Sequence, residues 1–173
     1  MSKSRVQLLL IIAAFALPAV IALLMQTSWF HWNPGETRNR GELIEPVLPM
    51  TADAAANELF NNGKRWSVLV RFPDACAADC QRRLTLLSHI REAQGKKMER
   101  VQMVAWTSPQ HPALGTVWKS WQPADSSPLS LAPGESALID PLGNAMLRYA
   151  ANAEPTDVRK DVAHLLRWSK VGE

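Results

Sequence analysis

Cys76 and Cys80 are the only thiols among 173 residues, and they stand four positions apart in the stretch FPDACAADC, residues 72–80. Three chemistries suit such a pair: a structural staple, a redox couple, or a pair of metal ligands. A staple over so short a loop removes little unfolded-state entropy, on the order of 2–3 kcal/mol. With 47% of the chain apolar, a core forms without it, which favours redox or metal work. As a couple, Cys76 in the loop is the expected attacking thiol and Cys80, opening a helix, the resolving one. The positive end of the helix dipole favours a thiolate nearby, and Asp74 and Asp79 oppose it. A strictly helical i, i+4 pair lies too far apart for a disulfide, whereas a loop plus a first turn brings two Cβ atoms within reach.

Which chemistry is open depends on the compartment. Val6 to Met25 is twenty residues without a charge, roughly 30 Å as a helix, the thickness of a bilayer core. Lys3 and Arg5 precede it, and Trp29, Phe30 and Trp32 follow as interfacial aromatics. A cleaved signal peptide has a shorter apolar region and ends at small residues, unlike LLMQTSWFHW. The expected organisation is a cytoplasmic tail at 1–5, a single transmembrane anchor at 6–25, a tether at 26–50 and a folded domain at 51–173. Arg38 and Arg40 lie beyond the anchor, but the short basic tail favours N-in, with the domain in an oxidising space such as a bacterial periplasm. The 19 Lys and Arg fall to 17 without Lys3 and Arg5, against 16 Asp and Glu, so the domain carries no nucleic-acid footprint.

The elements that must position the cysteines follow from periodicity. Thr51 to Phe60 reads as a short helix. Trp66 to Phe72, β-branched and apolar, reads as a buried strand. Beyond the cysteines, Leu84, Leu87 and Ile90 mark an amphipathic helix ending near Gly95. Val101 to Trp106 is a second strand, and the stretch through Trp118 and Trp121 a short helix or irregular segment. SALID and AMLRYA around PLGN make a hairpin, with Asp140 just before the turn. Val158, Val162, Leu165 and Leu166 place a closing helix after Pro155. Strand, helix, strand, hairpin and helix in that order describe an α/β, thioredoxin-like sandwich with an N-terminal single transmembrane helix. The cysteines fall at its first strand–helix junction.

A single anchor, this fold and CAADC at the junction resemble the Sco/SenC proteins, in particular divergent membrane-bound members. The resemblance runs in outline from Trp66 to Gly143, through CAADC with Leu84 and Leu87 and through LIDPLGN. It implies a copper chaperone or thiol–disulfide reductase serving the copper site of cytochrome c oxidase, with an external reductant. It implies Cys76 and Cys80 as the thiol pair and Cu(I) ligands. The family pattern is CPxxC, whereas here the Pro-Asp pair precedes Cys76. The family also has a histidine about eight residues before the turn aspartate, where this chain has Ala132.

His111, in the loop after the second strand, is the substitute ligand to weigh, against its reading as an exposed loop histidine. Pro133 is the candidate for the cis-proline that faces the cysteines in such folds, against the commoner reading as an ordinary trans loop proline. His89 and His164 fall on solvated helix faces, His31 in the membrane interface, and Met103 in the core. Asp74 and Asp79 more simply cap or solvate the helix start than form an acid–base pair. No phosphate-binding glycine loop, nucleophile elbow or zinc spacing is present. A non-catalytic assembly factor with a static disulfide, binding its partner through Trp118 and Trp121, is the remaining alternative.

Overall fold

A computed structural model describes residues 3–25, 39–52, 54–108, 111 and 115–170. The chain divides into two units, Met1–Arg38 and Asn39–Glu173. In the first unit, helix α1 (Lys3–Met25) contains Pro18. Its Lys3–Ile21 portion, with mean hydropathy 2.0, has the length and composition of a membrane span or of a signal sequence. Trp29, Phe30, His31 and Trp32 lie outside the described residues.

The second unit is a six-stranded sheet in the order β1-β6-β5-β2-β3-β4. Its strands are β1 (Glu42–Pro49), β2 (Trp66–Arg71), β3 (Val101–Trp106), β4 (Trp118–Trp121), β5 (Ser136–Ile139) and β6 (Asn144–Tyr149). The helices are α2 (Ala54–Phe60), α3 (Ala78–Ser88) and α4 (Pro155–Trp168). β2, β3 and β4 run parallel, while β5, β6 and β1 are antiparallel to their neighbours. β2 and β3 are apolar on both faces because both faces are covered. Val68, Val70 and Met103 pack with Leu84 and Leu87 of α3 and with Val158, Val162 and Leu166 of α4. Leu69, Val104 and Ile139 pack on the other side with Met50, Phe60, Leu129 and Leu131. The expected strands, hairpin and closing helix are all present, and Met103 is a core residue, 1% exposed.

Three segments differ from expectation. Residues 42–49, assigned to the tether, form β1, paired with β6 from Glu42↔Arg148 to Pro49↔Asn144 with a register shift between. The folded unit therefore starts at Asn39 rather than Thr51. Pro46 and Pro49 are tolerated because β1 is an edge strand, where a missing N–H costs no central ladder bond. The WKSW segment is strand β4, not a helix, and buries Trp118 and Trp121 against the two opposite core faces. Helix α3 stops at Ser88, before Gly95. The Ser88 hydroxyl donates to the Thr85 carbonyl, and the Ile90 N–H tightens onto Leu87 as the chain passes toward a 3-10 segment (Glu92–Arg100).

Two buried polar groups organise this unit. Asp161, 4% exposed on α4, accepts through Oδ2 from the Tyr149 hydroxyl (3.0 Å) and from the backbone N–H groups of Arg40 (2.9 Å) and Gly41 (3.0 Å). Burial first, and Asp161 second, push the Tyr149 phenol above its ordinary range, so it stays a neutral donor. Gly41 is required here, because a Cβ would lie 2.6 Å from the Tyr149 ring. Across β2 and β3, buried Gln102 donates to Ser67 Oγ (2.7 Å) and to the Leu59 carbonyl (2.9 Å), and accepts from Lys119 Nζ (3.1 Å). Asp161→Ala strands one buried hydroxyl and two backbone donors. It should cost about 3 kcal/mol in urea unfolding followed by Trp fluorescence, with Asp161→Asn costing less. A loss within about 0.5 kcal/mol would show that the contacts contribute nothing.

Candidate active site

The site begins where β2 leaves the sheet. The Arg71 N–H donates to the Glu135 carbonyl (3.0 Å), and the Gly134 N–H donates back to the Arg71 carbonyl (2.8 Å). Phe72 still bonds to β3, its N–H donating to the Trp106 carbonyl (3.2 Å). Its ring is buried edge-on between Trp118, 5.1 Å away, and His111, 5.4 Å away. The apolar run thus ends on an anchored aromatic, and the next residues, Pro73 to Ala77, must turn. Ala77 is the N-cap of α3 and offers no side-chain cap. The first N–H groups of the helix, which have no intrahelical partners, gain no side-chain acceptor from the cap at the cysteine end, which favours negative charge developing on a nearby sulfur.

Cys76 and Cys80 form a disulfide with a Cα–Cα distance of 5.3 Å. Cys80 lies in the first turn of α3 and Cys76 just before the N-cap, the loop-plus-turn arrangement that makes the bridge possible. Both are half-buried and pack against the core. The Gln81 side-chain amide donates to the Cys76 carbonyl (3.2 Å) and steadies the turn. Neither aspartate caps α3: Asp79 is almost fully exposed, 3.9 Å from the exposed Arg82.

The disulfide stands between two clefts. Cys76 lines one of ≈ 490 Å³, with Asp74, Gln81, Thr85, His111 and Thr116. Cys80 lines the other, of ≈ 540 Å³, with Pro73, Arg83, Pro133, Gly134 and Asn152. Leu84 belongs to both. Arg83 forms one wall of the second cleft: its guanidinium donates to the Ala150 and Ala151 carbonyls and ties α3 to the loop after β6. Burial lowers its pKa, and nearby Glu154 acts in the opposite direction. Periodicity already held the signal for Arg83, three residues beyond Cys80 on the same helix face. Gln81 and Phe72 carried no comparable signal.

His111 is brought into the cleft of Cys76, half-buried rather than exposed, and its Nε2 sits 3.1 Å from the Pro73 carbonyl. Among the described residues no three His, Cys, Asp or Glu side chains gather as a metal-holding group. Pro133 does line the cleft of Cys80, but its peptide bond is trans; the cis bond among the described residues is Glu45–Pro46. The reason is local. Ala132–Glu135 is a turn closed by the Glu135 N–H on the Ala132 carbonyl (3.0 Å), with Pro133 second and Gly134 at φ 86° third. A trans proline followed by a left-handed glycine is what such a turn accepts. Ala132 sits in this turn at the cysteine end. Asp140 lies at the opposite end of β5, where its carboxylate takes the N–H groups of Leu142 (2.9 Å) and Asn144 (2.8 Å) and shapes the hairpin. Trp118 and Trp121 are 8% and 6% exposed and present no partner surface, whereas Trp168 is 68% exposed. His89 and His164 are exposed, as expected.

Comparison with known proteins places this arrangement. Similar backbones are found in a SCO1/SenC family lipoprotein from Bacillus anthracis str. Ames, at 12% identity and TM-score 0.44 over 64% of this chain and 85% of that one. Apo Sco1 from Thermus thermophilus is similar at 15% identity and TM-score 0.45, over 73% and 95% of the two chains. Bradyrhizobium japonicum ScoI with copper bound is similar at 10% identity and TM-score 0.40, over 72% and 98%. At these identities the likeness concerns the fold alone. No curated protein matches the chain. The model of the family described as transmembrane-like, thioredoxin-like, C-terminal domain matches residues 66–169, from the first residue of β2 to the residue after α4. The chain belongs to that transmembrane-like, thioredoxin-like family.

Proposed function

We propose that this protein is a membrane-anchored thiol–disulfide oxidoreductase whose Cys76–Cys80 pair alternates between disulfide and dithiol. One observation carries the reading. The disulfide sits at an uncapped helix N-terminus beyond the central strand, half-buried but bordered by open clefts on both sides. A staple needs neither the clefts nor the helix end. In the reduced form the Cys76 thiolate attacks a client disulfide, and Cys80 then attacks Cys76 Sγ and releases the client thiol. Electrons return from an external reductant. With α1 as an anchor and the N-terminus inside, the domain works in the periplasm of a bacterium. The client that fits the motif resemblance is the cysteine-containing copper site of cytochrome c oxidase, which must be reduced before it loads.

A second reading has Cu(I) as cargo, held by the two thiolates of the reduced pair. The placement of His111 in the cleft of Cys76 favours it. Trp118 and Trp121, the residues offered as a partner surface in the assembly-factor alternative, are buried.

The deciding measurement equilibrates the full chain, in detergent micelles, with glutathione buffers and traps the thiols. A working couple titrates within their range, whereas a pair that stays oxidised, with a potential below about −300 mV, is structural and ends the cycling mechanism. Reduction should cost the domain about 2 kcal/mol by loop closure while leaving its circular dichroism unchanged. For the cargo reading, the reduced chain is titrated with Cu(I) against a chelator. Cys76→Ser should abolish binding; retention in His111→Ala would show that the histidine is no ligand.

A further inference from the structure

The outer side of α4 has no part in the core or at the disulfide. Val158, Val162 and Leu166 face the core, while Arg159, Lys160, His164, Arg167 and Trp168 are exposed, with Lys170 just beyond the helix. Both aspartates inside the helix are engaged elsewhere. Asp161 is buried under the Tyr149 hydroxyl, and Asp157 pairs with the Arg40 guanidinium (3.2 Å). Among the described residues none of Arg159, Lys160, Arg167 and Lys170 forms an ion pair. Lys97, from the 3-10 segment, adds a further positive charge at this end, its Nζ donating to the Leu166 carbonyl (2.7 Å). Trp168 is 68% exposed, and the Arg167 guanidinium lies over its ring at 5.5 Å. An indole in water beside unpaired cations suits a surface with an apolar interior and anionic rim.

Where the chain enters the folded unit says which surface this is. Asp161 holds the backbone N–H groups of Arg40 and Gly41, and Asp157 holds the Arg40 side chain. The segment arriving from α1 therefore joins the folded unit on α4 itself. Residues 26–38 would measure at most about 45 Å fully extended, so α4 stays at high local concentration beside any bilayer that α1 spans. We propose that the exposed side of α4, around Arg159, Lys160, Arg167 and Trp168, docks on the anionic phospholipid surface of that bilayer. The cations lie among lipid phosphates, and Trp168 enters the headgroup boundary. The inference rests on α1 as an anchor and is independent of the thiol chemistry. Pro155, at the start of α4, lines the cleft of Cys80, and Trp168 lies about 20 Å further along the helix. Docking through the Trp168 end leaves the disulfide within reach of a client.

The test places Trp168 relative to lipid. The full chain is reconstituted into vesicles of phosphatidylcholine, either alone or mixed equally with phosphatidylglycerol, with brominated acyl chains that quench nearby indoles. Subtracting the signal of Trp168→Phe isolates Trp168 from the other tryptophans. Quenching of Trp168 should be about threefold stronger in the mixed vesicles at low salt, and the difference should vanish at high salt. Arg159→Glu combined with Arg167→Glu should abolish the difference, whereas Arg159→Lys with Arg167→Lys keeps it. Both positions are exposed, so circular dichroism should be unchanged in either variant. Equal quenching in the two kinds of vesicle, or a difference that survives charge reversal, overturns the docking. Trp168 shielded from acrylamide in neutral detergent, increasingly so at higher protein concentration, assigns the face to a second copy and also overturns it. A chain that alkaline carbonate washes off the vesicles refutes the anchor and this inference with it. A chain that stays bound without the Trp168 difference refutes the docking alone.

Discussion

The placement of the Cys76–Cys80 disulfide depends on one strand. β2 lies inside the sheet, hydrogen-bonded to parallel β3 on one side and antiparallel β5 on the other. Both edges are occupied and both faces are covered, so its backbone has no freedom to shift. The strand is held to its last residue, where Arg71 exchanges hydrogen bonds with the Gly134–Glu135 backbone. The Arg71 guanidinium also donates to the Leu131 carbonyl and lies 5.1 Å from the Trp106 ring. Phe72 then wedges between Trp118 and His111. The cysteine turn starts from this fixed point.

From there the geometry of the disulfide follows with little further specification. Five residues reverse the chain and α3 begins, so the two sulfurs fall on either side of a helix start. Leu84 and Leu87 clamp α3 to the sheet, which sets the depth of Cys80. Arg83, on the neighbouring helix face, reaches across to the loop after β6 and fixes the wall that Cys80 meets. The site draws its rigidity from the sheet and its access from loops, a division of labour usual where function sits on a stable scaffold.

The central parts of this architecture were readable in the residues because their patterns are long or strongly apolar. WSVLVR and VQMVAW are buried strands, and the spacing of Val158, Val162 and Leu166 is that of a helix with one covered face. The edges were not readable. β1 contains two prolines and two glutamates, and only pairing with β6 turns it into a strand. β4 has four residues, too few for alternation to show against the helical spacing of its tryptophans. At the site, the cysteine pair and its junction were legible. The trans geometry of Pro133 was not, since it follows from a turn whose closing bonds join backbone groups. The cleft position of His111 depends on where the Pro73 carbonyl points after β2 has ended.

The Ser67–Gln102 hydrogen bond has a further role, as an alignment mark. β2 and β3 are greasy on both faces, so sliding one past the other by a residue would cost little in apolar burial, and the pattern by itself specifies the pairing weakly. Ser67 lies directly opposite Gln102 in the parallel ladder, and these are the buried polar side chains of the two strands. A slip in either direction would leave an amide and a hydroxyl unanswered inside the fold. The native alignment is thus distinguished from its neighbours by an error penalty. It is also the alignment that brings Phe72 to Trp106, so a mark near one end of the sheet decides where the sulfurs emerge at the other.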